Sequence, residues 1–448
     1  MRHDPARTFG RRAGRITLAG ALAGAALTTA VAGTTAPASA AGTTVTPYAF
    51  SATGFGTQVL ASQPGLRSDR TAYSLIGCTK AAGLDKSNSV AAGDLNGQVS
   101  VGPITTHQTT DVTKAGSSVV QSDTRVASVT VGNSALGFKI TGLEGVSRAY
   151  ATKAGVLHAG STFSFANIVP VGPGSQLPPP LDQGVNAIIA QLKQGPVTVP
   201  QLGVLKLGTV AKREGANIAR SGSVGLQIHL YGQDKANGGG DDSDVLIGRS
   251  YARISKLATY GVFSGGAWGV DGSFGNAVSV GRNPFTPMSC EGTGGNVRTR
   301  ALASLNLAAQ NQLVLGGLQN RVYGAQGTPA HGVTGWSESS VSSLNLGGGQ
   351  LQLTGVLARA KVVRSSTGHV YKTFVQRIGS ITASGQNHAV PAPGQSVTIP
   401  NVATIEVPRP TVTAYGVSVT AARITLLGGS AATTVIDLGN AQMAIRRY

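Results

Sequence analysis

Two cysteines, Cys78 and Cys290, are the most reactive side chains in this chain, and it has no others of their kind. Neither has a second cysteine close by, so a metal knuckle and a C-x-x-C redox pair are excluded. No histidine stands beside either one in sequence, so nothing marks an activated thiolate. Two readings stay open. One is a disulfide between Cys78 and Cys290, the common fate of a cysteine pair in an exported protein. The other is one buried thiol in each half of the chain, packed as a small hydrophobe.

The remaining candidates are thinner. Asp234, Asp241, Asp242 and Asp244 cluster between two expected strands. Carboxylates on one loop can hold Ca²⁺, but this spacing is not that of an EF-hand, and a solvated hairpin tip is the expectation. His107, His158, His229, His331, His369 and His388 are scattered, with no H-E-x-x-H or H-x-H pattern. Gly335-Trp336-Ser337-Glu338-Ser339 looks like a nucleophile elbow but lacks the closing glycine and the strand-turn-helix setting. A loop is expected there. A carboxylate pair for glycoside hydrolysis is assembled by a fold rather than by spacing. For that task the second half offers only Asp271, Glu291, Glu338, Glu406 and Asp437. No catalytic residue, metal ligand or cofactor is therefore expected.

The N-terminus supplies the setting. Arg2, Arg7, Arg11, Arg12 and Arg15 precede an apolar run from Ile16 to Ala32, and Ala38-Ser39-Ala40 fits an A-x-A cleavage site. This is the pattern of a cleaved secretory signal over residues 1–40. Arg11-Arg12 suits the twin-arginine route, while Gly14 and Arg15 stand where that signal prefers apolar residues, so both export routes stay open. No second apolar stretch approaches a membrane span, and the C-terminus carries no anchor motif. The mature protein is expected to leave the membrane and be secreted, with loose wall association at most.

The chain has 448 residues and a net charge of +18. Its Lys and Arg form no run longer than a pair, and aromatics are only 5%, too few for base-stacking platforms. Nucleic acid is not the expected partner. Outside a cell the available polyanions are wall polymers and acidic polysaccharides, to which a diffuse positive field draws a protein. A merely soluble basic surface is the alternative. Oligomeric state is not legible.

The elements that would position these residues read as strands, and they read twice. Segments such as Val224-Gly-Leu-Gln-Ile-His-Leu and Thr404-Ile-Glu-Val alternate apolar with polar residues, and Gly-rich turns interrupt them. Gly77-Cys78-Thr79 is answered by Ser289-Cys290-Glu291. Ile140-Thr141-Gly142-Leu143, after Arg125 to Val129, is answered by Leu353-Thr354-Gly355-Val356, after Ser340 to Leu344. Val197-Thr198-Val199-Pro200 returns as Val397-Thr398-Ile399-Pro400. Val224 to Ile228 and Asp244 to Gly248 return as Val419 to Ile424 and Val435 to Gly439. Landmarks that keep their order over this length indicate a duplicated domain. The expected fold is all-β: two tandem antiparallel β-sandwich-like domains at 41–257 and 258–448, the second starting near Tyr260 as the first does near Tyr48. One helix near 181–193 is inserted in the first domain. Its Leu181, Val185, Ile188, Ile189 and Leu192 recur at helical spacing, and Gly195-Pro196 stops it.

The run from Val126 to Leu143, the Val-Thr-Val-Pro and Val-Thr-Ile-Pro segments, and Asp244 to Gly248 resemble the choice-of-anchor P family of secreted actinobacterial proteins. The resemblance implies a β-rich protein of the cell envelope with no assigned reaction and no catalytic residues to carry over. The expected function is thus non-enzymatic, structural or binding, towards anionic wall polymers or glycans. The alternatives are a secreted carbohydrate-active enzyme and a carbohydrate-binding module, the latter hinted at by Trp268 and Trp336. For these two tryptophans, packing in a core or loop is the plainer expectation.

Overall fold

A computed structural model describes residues 43–61, 70–95, 99–132, 137–171, 179–199, 203–230, 243–274, 278–307, 313–328, 331–427 and 434–447. The signal segment at 1–40 and Asp234, Asp241 and Asp242 lie outside the described residues. The fold is all-β, with one helix, Pro179–Gln194, among the described residues. Four antiparallel sheets pack in two face-to-face pairs. Strands within 44–255 make the first pair, here the first unit, and strands within 262–446 make the second.

Each unit has a terminal sheet that contains its first and last strands. In the first unit its order is Val197–Val199, Gly203–Arg213, Ile218–Leu230, Ser243–Ser255, Thr44–Ala61, Ser74–Ala82. In the second it is Ser396–Ile399, Ala403–Glu406, Gly416–Leu426, Val435–Arg446, Val262–Phe274, Val278–Pro287. The two orders correspond strand for strand. The facing central sheets correspond as well: Ile104–Val112, Ser118–Gly132, Gly137–Ala151 and Leu157–Ser164 in the first unit stand where Leu313–Ala325, Val333–Leu346, Leu351–Arg364 and Val370–Arg377 stand in the second. The pairings also fix the frame. Phe50 lies opposite Ile254 and Phe263 opposite Ile445, so Phe50-Ser51 and Phe263-Ser264 occupy the same place. Tyr48 therefore aligns with Gly261, one residue away from the Tyr260 expected from the sequence.

Gly142 and Gly355 show what a shared landmark is for. Both have a left-handed backbone, φ 63° and 61°, which glycine adopts without steric cost. Each sits where its strand changes neighbour: from Leu157–Ser164 to Asn167–Val171 at Gly142, and from Val370–Arg377 to Ser380–Ala383 at Gly355.

The strands form because their side chains alternate between a buried and an exposed face. In the first unit two apolar clusters flank a belt of small polar residues. One cluster receives Ile189 and Leu192 of the helix, which covers that end of the core as expected. In the belt, Ser122 donates to the Thr53 carbonyl at 3.0 Å and Thr124 to the Arg249 carbonyl at 2.8 Å, across the sheets. Ser337 and Ser339 of the second unit reach the Gln442 and Trp268 carbonyls, both at 2.9 Å. Small hydroxyls thus satisfy themselves on the opposite sheet's backbone, which keeps a polar core affordable to burial.

The units meet at the cysteines. Cys78 and Cys290 form a disulfide with Cα atoms 5.1 Å apart, across 212 residues of sequence. Ala49 and Val262, which hold equivalent places, pack with Ala258 around it. The Phe263 N–H donates to the Cys290 carbonyl at 2.9 Å, while the Cys290 sulfur lies 3.8 Å from the carbonyl oxygen of Phe50, the counterpart of Phe263. The linker is pinned by Gln326, whose Oε1 accepts from the Tyr260 and Gly261 N–H groups.

Candidate functional site

The segment expected to be a loop, Gly335-Trp336-Ser337-Glu338-Ser339, is the middle of strand Val333–Leu346. Its alternation decides this. Val333, Gly335, Ser337, Ser339 and Val341 point into the core, and Trp336 and Glu338 point out. Ser337 is fully buried and bonded to the opposite sheet, so its hydroxyl is a structural donor.

The outward residues assemble a cluster on the outer face of the second central sheet. Pairing sets Tyr323, Trp336, Lys361 and Thr373 in one row across four strands, about 14 Å at ordinary strand spacing. The next row holds Arg321, Glu338, Arg359 and Val375. The Tyr323 and Trp336 rings stack at 5.9 Å with 13° between their planes. Arg359 and Arg321 lie over the Trp336 ring at 4.6 and 5.5 Å. Glu338 holds both, at 3.2 Å from Arg321 and 3.7 Å from Arg359. Trp336 is thus a half-buried pedestal on which two guanidiniums rest, their side chains 42% and 38% exposed. Stacking and the shared carboxylate limit rotamer freedom, so the donors are pre-organised for a planar oxyanion. Lys361 is exposed beside them, and the three cations outnumber the single carboxylate.

In the first unit Asp123 stands where Glu338 does and Arg148 where Lys361 does, but the other four lattice points are filled differently. Gln121 takes the place of Trp336, Thr109 that of Tyr323, His107 that of Arg321, and Val146 that of Arg359. The scaffold folds without the cluster, so the cluster is not a requirement of the sheet.

Other residues singled out in the sequence lie apart. Trp268 is on strand Val262–Phe274 and buried at 8% exposure, as expected of a packing residue. Asp244 is bonded to His229 at 2.9 Å. His107 pairs with Asp85 at 2.8 Å, His158 lies 3.9 Å from Glu214, His331 bonds Thr328, and His369 packs against Tyr371. Among the described residues, no three His, Cys, Asp or Glu side chains gather as a metal site. Carboxylates are mostly spoken for by cations: Glu144 by Arg125, Glu291 by Arg253, and Asp437 by Arg423. The paired hydrogen bonds to Asp437 raise the Arg423 guanidinium above its ordinary range against the opposing effect of burial.

No family model matches the chain, and no curated protein matches it. No helix among the described residues is long and apolar enough to cross a membrane.

Proposed function

We propose that this is a secreted, non-enzymatic binding protein of the bacterial cell envelope, which holds an anionic wall polymer or acidic glycan on the Trp336 face. The observation that carries the reading is the guanidinium pair on the Trp336 pedestal, present in one unit and replaced in the other by Gln121, Thr109, His107 and Val146. A repeated acidic chain has the charge that Arg321, Arg359 and Lys361 complement. The net charge of +18 falls to +14 once the leader's five Arg and one Asp are removed, and it supplies long-range attraction to the same class of partner.

Secretion is supported by the leader pattern at 1–40 and by a disulfide, which suits an oxidising compartment. Internal duplication into domains at 41–257 and 258–448 is supported by the shared strand orders, and membership of the choice-of-anchor P family by the resemblance described above. The non-enzymatic reading is supported by the carboxylates' engagement with cations.

Affinity electrophoresis through gels containing polygalacturonate or neutral dextran tests the proposal. Retardation is expected in the acidic gel. Trp336→Ala should weaken it by about thirtyfold, the scale of an interface hot spot, while Gln121→Ala leaves it unchanged. Equal retardation in both gels would favour a neutral carbohydrate-binding module, and none in either would remove the glycan reading.

A further inference from the structure

A second arginine–aromatic arrangement is built into both units, and the two copies differ in charge. Phe55 and Trp268 hold equivalent places on the first strand of each terminal sheet, opposite Arg249 and Asn440 respectively. In the first unit Arg70 lies over Phe55 at 5.0 Å and over Tyr73 at 5.2 Å. In the second, Arg282 lies over Trp268 at 4.2 Å and over Phe285 at 5.7 Å. The spacing is the same in each: Arg, two residues, Tyr or Phe, Ser or Thr, three residues, then the bridged Cys. A clip that recurs at the same four places has a structural role in both units.

The surroundings of the clip have diverged. Arg282 has Asp271 at 3.9 Å. Gln58 stands at the corresponding place in the first unit, and the Arg70 Nε donates to it at 3.4 Å. Where the second unit has Asn440, the first has Arg249, whose guanidinium lies 5.8 Å from the Phe55 ring. The second clip therefore combines one cation with one carboxylate, and the first combines two cations with no carboxylate partner among the described residues. Burial, and then the charge of Arg70, hold Arg249 below its ordinary value. The second unit makes the same clip without a second cation, so the clip itself does not require Arg249. Two half-buried guanidiniums that no carboxylate faces among the described residues are costly unless an anion joins them.

We propose that Arg70 and Arg249, gathered on the Phe55 ring, form an oxyanion-binding site of the first unit that takes a carboxylate, sulfate or phosphate group. This site is independent of the Trp336 face and does not rest on that reading.

Thermal unfolding of the purified protein tests it, with sodium phosphate, sodium sulfate and sodium glucuronate compared against sodium chloride at matched ionic strength. At about ten times the dissociation constant, the bound anion should raise Tm by about 4 °C beyond the chloride control, and the rise should saturate. Saturation by phosphate or sulfate assigns a tetrahedral anion, and saturation by glucuronate alone assigns a carboxylate. Arg249→Gln should abolish the saturable rise, and Arg282→Gln should retain it. Gln58→Glu places a carboxylate beside Arg70, as in the second unit, and should also abolish the rise without removing either arginine. An equal rise in wild type and in both first-unit variants, or no saturable rise with any of the three anions, would overturn the proposal.

Discussion

Arg253 of the first unit and Glu291 of the second form an ion pair beside the disulfide, with side chains only 16% and 10% exposed. Glu291 is the residue after the bridged Cys290, so the charged and covalent links between the units coincide. Its equivalents break the symmetry: Thr79 follows Cys78, and Ala444 stands where Arg253 does. Removing one partner should strand the other charge at the interface. Arg253→Met is expected to cost about 3–5 kcal/mol in denaturant unfolding. Adding Glu291→Leu should recover most of that loss.

The disulfide makes a second prediction. The denatured, unreduced protein should titrate with no free thiol. Replacing both Cys78 and Cys290 by Ser removes a cross-link spanning 212 residues, for which the chain-entropy account sets a ceiling of about 5 kcal/mol. A fall in the urea midpoint is expected, with both sandwiches keeping their β circular dichroism, since each has its own core.

The two landmark glycines should respond unequally to the same substitution. A Cβ at Gly355 meets only backbone at 3.4 Å or beyond, whereas at Gly142 it falls 2.9 Å from the Ala166 Cβ. Gly355→Ala should therefore cost about 1–2 kcal/mol, from the left-handed backbone alone. Gly142→Ala should cost more, because backbone strain and a clash add. Denaturant midpoints of the two variants rank them.

Lys80, next to the interface on strand Ser74–Ala82, is held below its ordinary value by burial. With the folded value lowered, the unfolded chain binds more protons in the window up to the usual lysine range, so this group's contribution to stability rises with pH there. Lys80→Met is expected to be more stable than wild type at neutral pH. The gap should narrow as pH climbs into the lysine range. A gap that widens with pH would contradict the assignment.

Much of this was legible in the chain, for physical reasons that differ by element. Alternation exposed the strands, helical spacing with a Gly195-Pro196 stop exposed the helix, and the symmetric placing of Cys78 and Cys290 left a bridge open. Gly335 to Ser339 misled because Gly and Ser usually mark turns, whereas here they fill inward places where hydroxyls reach the opposite backbone. The Trp336 cluster was hidden because Arg321 and Tyr323 arrive on one neighbouring strand and Arg359 and Lys361 on the other. Only the pairing Tyr323 to Trp336 to Lys361 brings them into one row. The clip around Phe55 and Trp268 did leave a trace, the repeated Arg-x-x-Tyr/Phe-Ser/Thr spacing before each cysteine, which apolar landmarks overshadowed.

Trp336 and Trp268 are the two tryptophans of the chain, so one substitution turns Trp336 into a sole reporter of its own face. Trp268→Phe places at that position the residue type that Phe55 holds in the first unit. Titrating this variant with polygalacturonate should shift the Trp336 emission saturably, as the arginines on its ring engage acidic groups. The shift should weaken as salt shortens the screening length from about 10 Å at 0.1 M to about 3 Å at 1 M. Neutral dextran should leave the emission unchanged. An unaltered spectrum with the acidic polymer, or the same shift with the neutral one, would contradict the account.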